Sequence, residues 1–408
     1  MSGWAEQAGL TMTRAGKMKV LLFSTLYPSA ARPIHGIFVE TRLRELMKSG
    51  QVDARVVAPV PWFPLKHDRF GEYAKFAKTP GFETRNGIDV SHPRYFLPPK
   101  VGMNVAPYLL AVGAFRTLMN LRNEGFDFDL IDAHYYYPDG VAAMMLARWF
   151  NKPFVVTARG TDLNLIPDFD FPRRLILKAA NAAAASIGVC QALTDRLHGL
   201  GATPSKLHVM RNGVDLERFR VMDRAQTRHR LNLPSDLVLL LSVGNLVELK
   251  GHHLAIEALN RLPANVRLAI AGAGVEKQAL QALAAKLGVS ERVIWAGALP
   301  QSELVDWYNA ADALTLCSSR EGWANVLLES MACGTPVIAT NIPGTREVVC
   351  APQAGILMQE RSAHALVEAY ARLMSSKPDR NAVRRHAESF SWDATTRAQL
   401  ELFSQVIA

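Results

Sequence analysis

The feature that most constrains this chain is an alternation kept up from end to end. Short apolar runs rich in branched residues alternate with stretches of helical periodicity. KVLLFST (residues 19–25) reads as a buried strand, and GIFVETRLRELMKSG follows with helical spacing and a glycine stop at Gly50. ARVVAPV, DLIDAH, PFVVTA and SIGVC continue the strand series. A second series starts at Asp236 with LVLLLSVG, VRLAIAGAG, RVIWAG, DALTLC and TPVIAT. Strands that are apolar throughout and separated by helices imply parallel sheets covered on both faces. The two series meet at RNGVDLERF (residues 211–219), the candidate hinge. The expected fold is therefore α/β, with two Rossmann-like domains facing each other across a cleft and ligands at the carboxyl ends of the strands.

Composition narrows the function classes. With 49% hydrophobic residues the chain can bury sizeable cores. No apolar run approaches the roughly 20 residues needed to span a bilayer, and the first 17 residues lack the apolar centre of a signal peptide. Residues 1–17 read as a loose extension. Cys190, Cys317, Cys333 and Cys350 show no metal-ligand spacing, so buried free thiols in a reducing cytoplasm are expected. The net charge of +9 suits anionic substrates or an anionic membrane surface, and nothing resembles a nucleic-acid-binding module.

The stretch EGWANVLLESMACGTPVIAT (residues 321–340) carries the most specific signal. DALTLC is the strand before it, and a helix is expected from Ala324 to Cys333, stopped by Gly334 and Pro336. That places Trp323, Ala324 and Asn325 at a helix N-terminus, where free amides and the helix dipole suit a phosphate or diphosphate. Glu321 and Glu329 cannot bind that anion. They can accept hydrogen bonds from the hydroxyls of a sugar and a ribose attached to it, which describes a nucleotide-sugar.

This stretch resembles the E-x7-E motif of family 4 glycosyltransferases. Companion segments agree in order: SVGNLVELKGH resembles the family's phosphate loop, VMRNGVDLERF its hinge, AGAG and WAGALP its nucleotide loops, and PGTREVV the segment after the motif. The resemblance runs from about Met18 to the last helix and is closest to bacterial exopolysaccharide and teichuronic-acid-type enzymes. It implies the GT-B fold, with an acceptor domain over residues 18–212 and a donor domain over 213–385. A C-terminal helix, 386–408, would cross back onto the acceptor domain, with Trp392, Leu400 and Phe403 as anchors. It implies a retaining, metal-independent transfer (hexosyltransferase type) from a UDP- or GDP-sugar, with no other cofactor. Glu329 would hold the ribose, Glu321 would lie by the donor sugar, and Lys250 would bind the diphosphate. Gly244, Gly272 and Gly274 would line the nucleotide loops. The phosphate-binding Arg common in the family is Asn245 here, so Lys250 acts alone or an arginine such as Arg320 or Arg211 contributes.

The N-terminal half supplies acceptor-side candidates. HGIFVETR has His35–Gly36 where most relatives have a glycine pair, and Gly36 would let the acceptor approach the donor phosphate. DAHYYYPDG puts His134 at a strand end, as a catalytic contact in the cleft or as a satisfied strand-end histidine. In TARGTDLN, Arg159 could supply the missing charge, and Asp162 is an acceptor ligand or a helix cap. Apolar helices carrying Lys100, Arg116, Arg122, Arg173, Arg174 and Lys178 suit docking to an anionic inner leaflet, hence a lipid-linked saccharide acceptor and a peripheral location on the cytoplasmic side. Two other readings share the same cleft: a sugar-nucleotide epimerase, and a non-catalytic sugar-nucleotide-binding protein.

Overall fold

The computed structural model describes residues 16–98 and 102–408. Most of the expected extension, and Lys100, lie outside the described residues. Two parallel-rich sheets form the architecture, as the alternation requires. The first has eight strands in the order Leu207–Val209, Ala185–Gly188, Phe154–Ala158, Leu130–His134, Met18–Phe23, Val52–Val57, Ile88–Ser91 and Phe82–Arg85. The last strand alone is antiparallel to its neighbour. The second sheet has six parallel strands: Val293–Gly297, Val266–Ala271, Val238–Val243, Ala313–Leu316, Val337–Thr340 and Gly355–Met358.

Side-chain alternation shows why both sheets are buried on two faces. In Met18–Phe23, Leu21 and Phe23 enter one core while Val20 and Leu22 enter another. In Val238–Val243, Leu239 and Leu241 face one core and Leu240 the other. Consecutive residues of a strand point to opposite sides, so an unbroken apolar run needs helices on both.

All ten strands expected from the sequence are present. The strands missed lie at or next to sheet edges, or in a separate two-stranded sheet of Val60–Pro61 and Arg94–Tyr95. One pair, Phe82–Arg85 and Ile88–Ser91, is a hairpin turned by Asn86 and Gly87, both at positive φ. Asn-Gly is the strongest short hairpin signal in a sequence and would have located this turn. Its strands are only partly buried, so the apolar run that marks a central strand is absent.

The C-terminal helix Trp392–Ile407 crosses back to the first domain. Leu402 and Phe403 pack with Val39, Leu43 and Leu46 of helix Ile37–Lys48. Leu400 is only partly buried there, so Leu402 takes the anchoring place expected of it. Trp392 is buried at the hinge instead, where a Cβ on Gly213 would lie 2.5 Å from the Trp392 nitrogen. All four cysteines are free, and Cys350 is exposed rather than buried.

Candidate functional site

Three loops at the carboxyl ends of the second sheet build the site. The loop after Ala313–Leu316 leads into helix Asn325–Ala332, one residue shorter at each end than expected. Its side chains are already organised. The Glu321 carboxylate accepts from Lys250 Nζ at 2.5 Å and from Ser318 Oγ at 2.6 Å through the same oxygen, Oε1. Lys250 comes from the turn Glu248–Lys250, after strand Val238–Val243. The pair is partly shielded, with side-chain exposures of 22% for Lys250 and 11% for Glu321. An ammonium carries three donors, so Lys250 keeps capacity for an anion while Glu321 orients it.

The loop glycines serve close packing. A Cβ on Gly272 would lie 1.8 Å from the Gly244 carbonyl oxygen, and one on Gly274 would lie 2.3 Å from that of Leu246. These residues bring the nucleotide-loop candidates together. Asn245 is exposed beside them, its carbonyl accepting from His252 Nε2 at 3.2 Å.

Glu329 is 8% exposed. It accepts from Tyr308 Oη at 2.7 Å and from Gln301 Nε2 at 3.1 Å. Burial holds its pKa above the usual carboxylate range. Two oxygens offer about four acceptor directions, so partners remain available to hydroxyls. Trp323 and Ala324 are buried before the helix, and the Trp323 indole N–H has no partner. Asn325 Oδ1 accepts from Asn212 Nδ2 at 3.3 Å.

The first domain closes over this loop backbone to backbone. A Cβ on Gly322 would lie 2.0 Å from the Arg159 carbonyl oxygen. One on Gly160, at φ +136, would lie 2.9 Å from the Gly322 Cα. Asn164 Nδ2 adds a hydrogen bond to the Glu321 carbonyl at 3.3 Å. Gly160, Asn164, Asn212 and Ser318 were not singled out in the sequence, because their roles depend on partners far along the chain.

Several first-domain candidates turn inward. His134 is 1% exposed and does not face the cleft. Its Nε2 meets Asp132 Oδ2 at 3.2 Å, and its Nδ1 meets an Arg159 NH2. Burial above all, and also the Arg159 charge, lowers its pKa to about 4, so the ring is neutral at neutral pH. The strand-end reading of His134 fits this geometry. Arg159 is likewise committed. Besides His134 it donates to Asn212 Oδ1 at 3.1 Å, and its guanidinium lies 5.3 Å from the Phe38 ring centre. Asp162 is fully buried and accepts backbone N–H groups of Tyr136, Arg159 and Gly160 at 2.7–3.2 Å. It shapes the loop before helix Thr161–Asn164 and neither caps that helix, whose N-cap is Gly160 without a side-chain bond, nor faces an acceptor.

His35 is half-buried between Arg32 (2.9 Å) and the Thr25 carbonyl (3.2 Å), with burial lowering its pKa to about 4. Gly36 precedes helix Ile37–Lys48 at φ +69, with room only for hydrogen against the Leu26 carbonyl. Of the alternative cations, Arg211 pairs with Glu347 at 2.7 Å. Arg320 has a buried Nε without a partner and makes no ion pair among the described residues. The assembled site thus offers an oriented lysine, a helix N-terminus, two carboxylates and one uncommitted arginine. It suits a ligand with both an anionic group and hydroxyls.

Comparison with known proteins agrees along the chain. The family model for glycosyl transferases group 1 matches residues 223–390, and that for glycosyltransferase family 4 matches residues 36–218. A Bacillus subtilis protein provisionally named a teichuronic acid biosynthesis glycosyltransferase is 30% identical over 359 residues, covering 87% of this chain and 89% of the relative. The D-inositol 3-phosphate glycosyltransferase of Frankia alni is 34% identical over 307 residues, covering 69% and 75%. Sucrose-phosphate synthase from Thermosynechococcus elongatus shares the fold at a TM-score of 0.80 and 18% identity, covering 96% of this chain and 99% of that one. Anabaena HepE, solved with UDP-glucose, does so at 0.72 and 20%, covering 95% and 100%.

Proposed function

Because the chain belongs to glycosyltransferase family 4, we propose that it transfers a sugar, with retention and without a metal, from a UDP- or GDP-sugar to a lipid-linked saccharide in cell-surface polysaccharide synthesis. The observation that carries this reading is the Lys250–Glu321 pair beside the N-terminus of helix Asn325–Ala332. As the glycosidic bond breaks, negative charge collects on the leaving diphosphate. An oriented ammonium and the positive end of the helix dipole stabilise that charge without reorganising, although the Asn325 and Leu327 amides already donate to the Trp323 and Ala324 carbonyls. Glu321, held by Lys250 and Ser318, presents its second oxygen to hydroxyls of the donor sugar. Glu329, further along the helix, accepts from the ribose. Arg320 supplies the second cation that Asn245 does not. Gly36 and His35 lie on the acceptor side.

The test is a thermal-shift panel of UDP, GDP and ADP, each with and without its sugar. A ligand at 100 times its Kd adds about 2.7 kcal/mol of apparent stability, so the preferred nucleotide identifies itself. Glu329→Gln keeps an acceptor for the Tyr308 hydroxyl, and so tests the ribose contact with less damage to the fold than alanine. A charged hydrogen bond is worth about 1.5–3 kcal/mol, or roughly 10- to 150-fold in affinity. The variant should fold and lose most of the nucleotide-dependent shift. An undiminished shift would take Glu329 out of the nucleotide contact. NMR of the product's anomeric configuration checks retention.

A lipid-linked acceptor requires the enzyme to reach a membrane, and no helix among the described residues is long and apolar enough to cross one. The first domain has a surface suited to docking. Helices Gly102–Asn123, Val141–Phe150 and Asp170–Ala182 are neighbours. Tyr108, Val112, Phe115, Trp149, Phe169 and Phe171 are exposed on or beside them. Arg116, Arg174 and Lys178 are exposed on the same helices, whereas Arg173 is tied to Asp170. Aromatic and basic side chains together suit an anionic interface, each basic residue contributing about 1 kcal/mol and screened by salt. Vesicle sedimentation should show binding that requires anionic lipid and weakens with salt. The double variant Arg174→Glu/Lys178→Glu should weaken it further without affecting nucleotide binding. Equal recovery on neutral and anionic vesicles, or none on either, points to a soluble acceptor.

A further inference from the structure

A buried polar relay runs from the C-terminal helix to the edge of the candidate donor site, and its donor and acceptor roles are consistent at every link. Arg42 Nε donates to Gln399 Oε1 at 2.8 Å, and Gln399 Nε2 donates to Asp132 Oδ2 at 3.3 Å. Asp132 Oδ2 also accepts from His134 Nε2, which leaves His134 Nδ1 to accept from Arg159. Arg159 donates onward to Asn212 Oδ1, and Asn212 donates to Asn325 Oδ1 at the first residue of helix Asn325–Ala332. Arg42, Gln399, Asp132, His134 and Asn212 are all 3% exposed or less.

The amide at position 399 is what makes the chain directional. It accepts from an arginine on one side and donates to a carboxylate on the other, which no apolar side chain can do. Asp132 then holds the neutral His134 in the tautomer with hydrogen on Nε2, and only that tautomer gives Arg159 an acceptor at Nδ1. Without that acceptor Arg159 would be freed to turn from Asn212. We infer that Gln399 is a positioning residue for the donor-binding end of helix Asn325–Ala332, acting through Asp132, His134, Arg159 and Asn212. This rests on the reading of that helix end as part of the donor site. The crossing of the C-terminal helix thereby acquires a role beyond packing: it sets the placement of Asn325 in the other domain.

The experiment is a double-mutant cycle read by calorimetric titration of UDP and of GDP. Gln399→Met conserves volume and removes both hydrogen bonds. It should weaken binding of the nucleotide that wild type prefers by about threefold to tenfold, within the roughly 2- to 30-fold span of couplings of this kind. The donor KM should rise with it while the acceptor KM stays put. Gln399→Met should add little once Asn325→Ala is present, because both break one chain. Phe403→Leu loosens the same helix without touching the relay and should leave nucleotide affinity unchanged. Should Gln399→Met fail to fold, Gln399→Glu serves in its place, since it keeps the Arg42 contact and replaces donation to Asp132 with repulsion between two carboxylates. Additive losses in the cycle, an equal loss in Phe403→Leu, or wild-type affinity in both position-399 variants overturns the inference. Wild type binding neither UDP nor GDP defeats the donor-site reading and the inference together, a result distinct from the others.

Discussion

Lys250→Ala is expected to lower turnover about 10²–10³-fold at saturating donor, the usual loss when one preorganised charge-stabilising donor is removed. Lys250 sits on a tight turn and is drawn onto Glu321 at 2.5 Å, so its position is set before any ligand arrives. Removing it strips the charge from the leaving diphosphate and frees Glu321 from its main partner, leaving Ser318 at 2.6 Å. The fold should survive, since the pair is partly solvated. Stopped assays of nucleoside diphosphate release measure the effect. Turnover within a few-fold of wild type would place the leaving group's stabilisation on Arg320 instead.

Gly322→Ala should cost a comparable amount by a different route. The added methyl would lie 2.0 Å from the Arg159 carbonyl oxygen, which no Cβ tolerates. Backbone faces it, so no side chain can swing away, and the two domains must part. Misplacing reacting groups by about 1 Å is enough to cost 10²-fold. Turnover should therefore fall by about that factor while thermal denaturation changes little, because Gly322 lies in a loop and not in either core. Small-angle scattering should report a larger radius of gyration than wild type. Unchanged turnover would mean that the closed approach of Gly160 to Gly322 is not needed for transfer.

The apolar alternation was enough to require two covered sheets, because an unbroken apolar strand can be satisfied only with helices on both faces. The sequence determined the local form of the site loop as well. Gly334 and Pro336 end the helix, and the sequence puts its start at Ala324, one residue before the observed start at Asn325. These are short-range consequences of backbone chemistry, and they are legible within a window of a few residues. The hairpin at Asn86–Gly87 was legible in the same way, through its turn and not through its partly buried strands.

Tertiary structure alone decided which charged groups are spent and which remain. Lys250 and Glu321 are 71 residues apart in the chain, and nothing local says they meet. Arg159, His134 and Asp162 look free for chemistry in TARGTDLN and DAHYYYPDG, yet each is used up inside the fold by Asn212, Asp132 or backbone amides. The physical reason is desolvation. A charged or polar side chain taken out of water must find its partners among whatever surrounds it, and those surroundings are assembled from strands, a hinge and a C-terminal helix hundreds of residues apart.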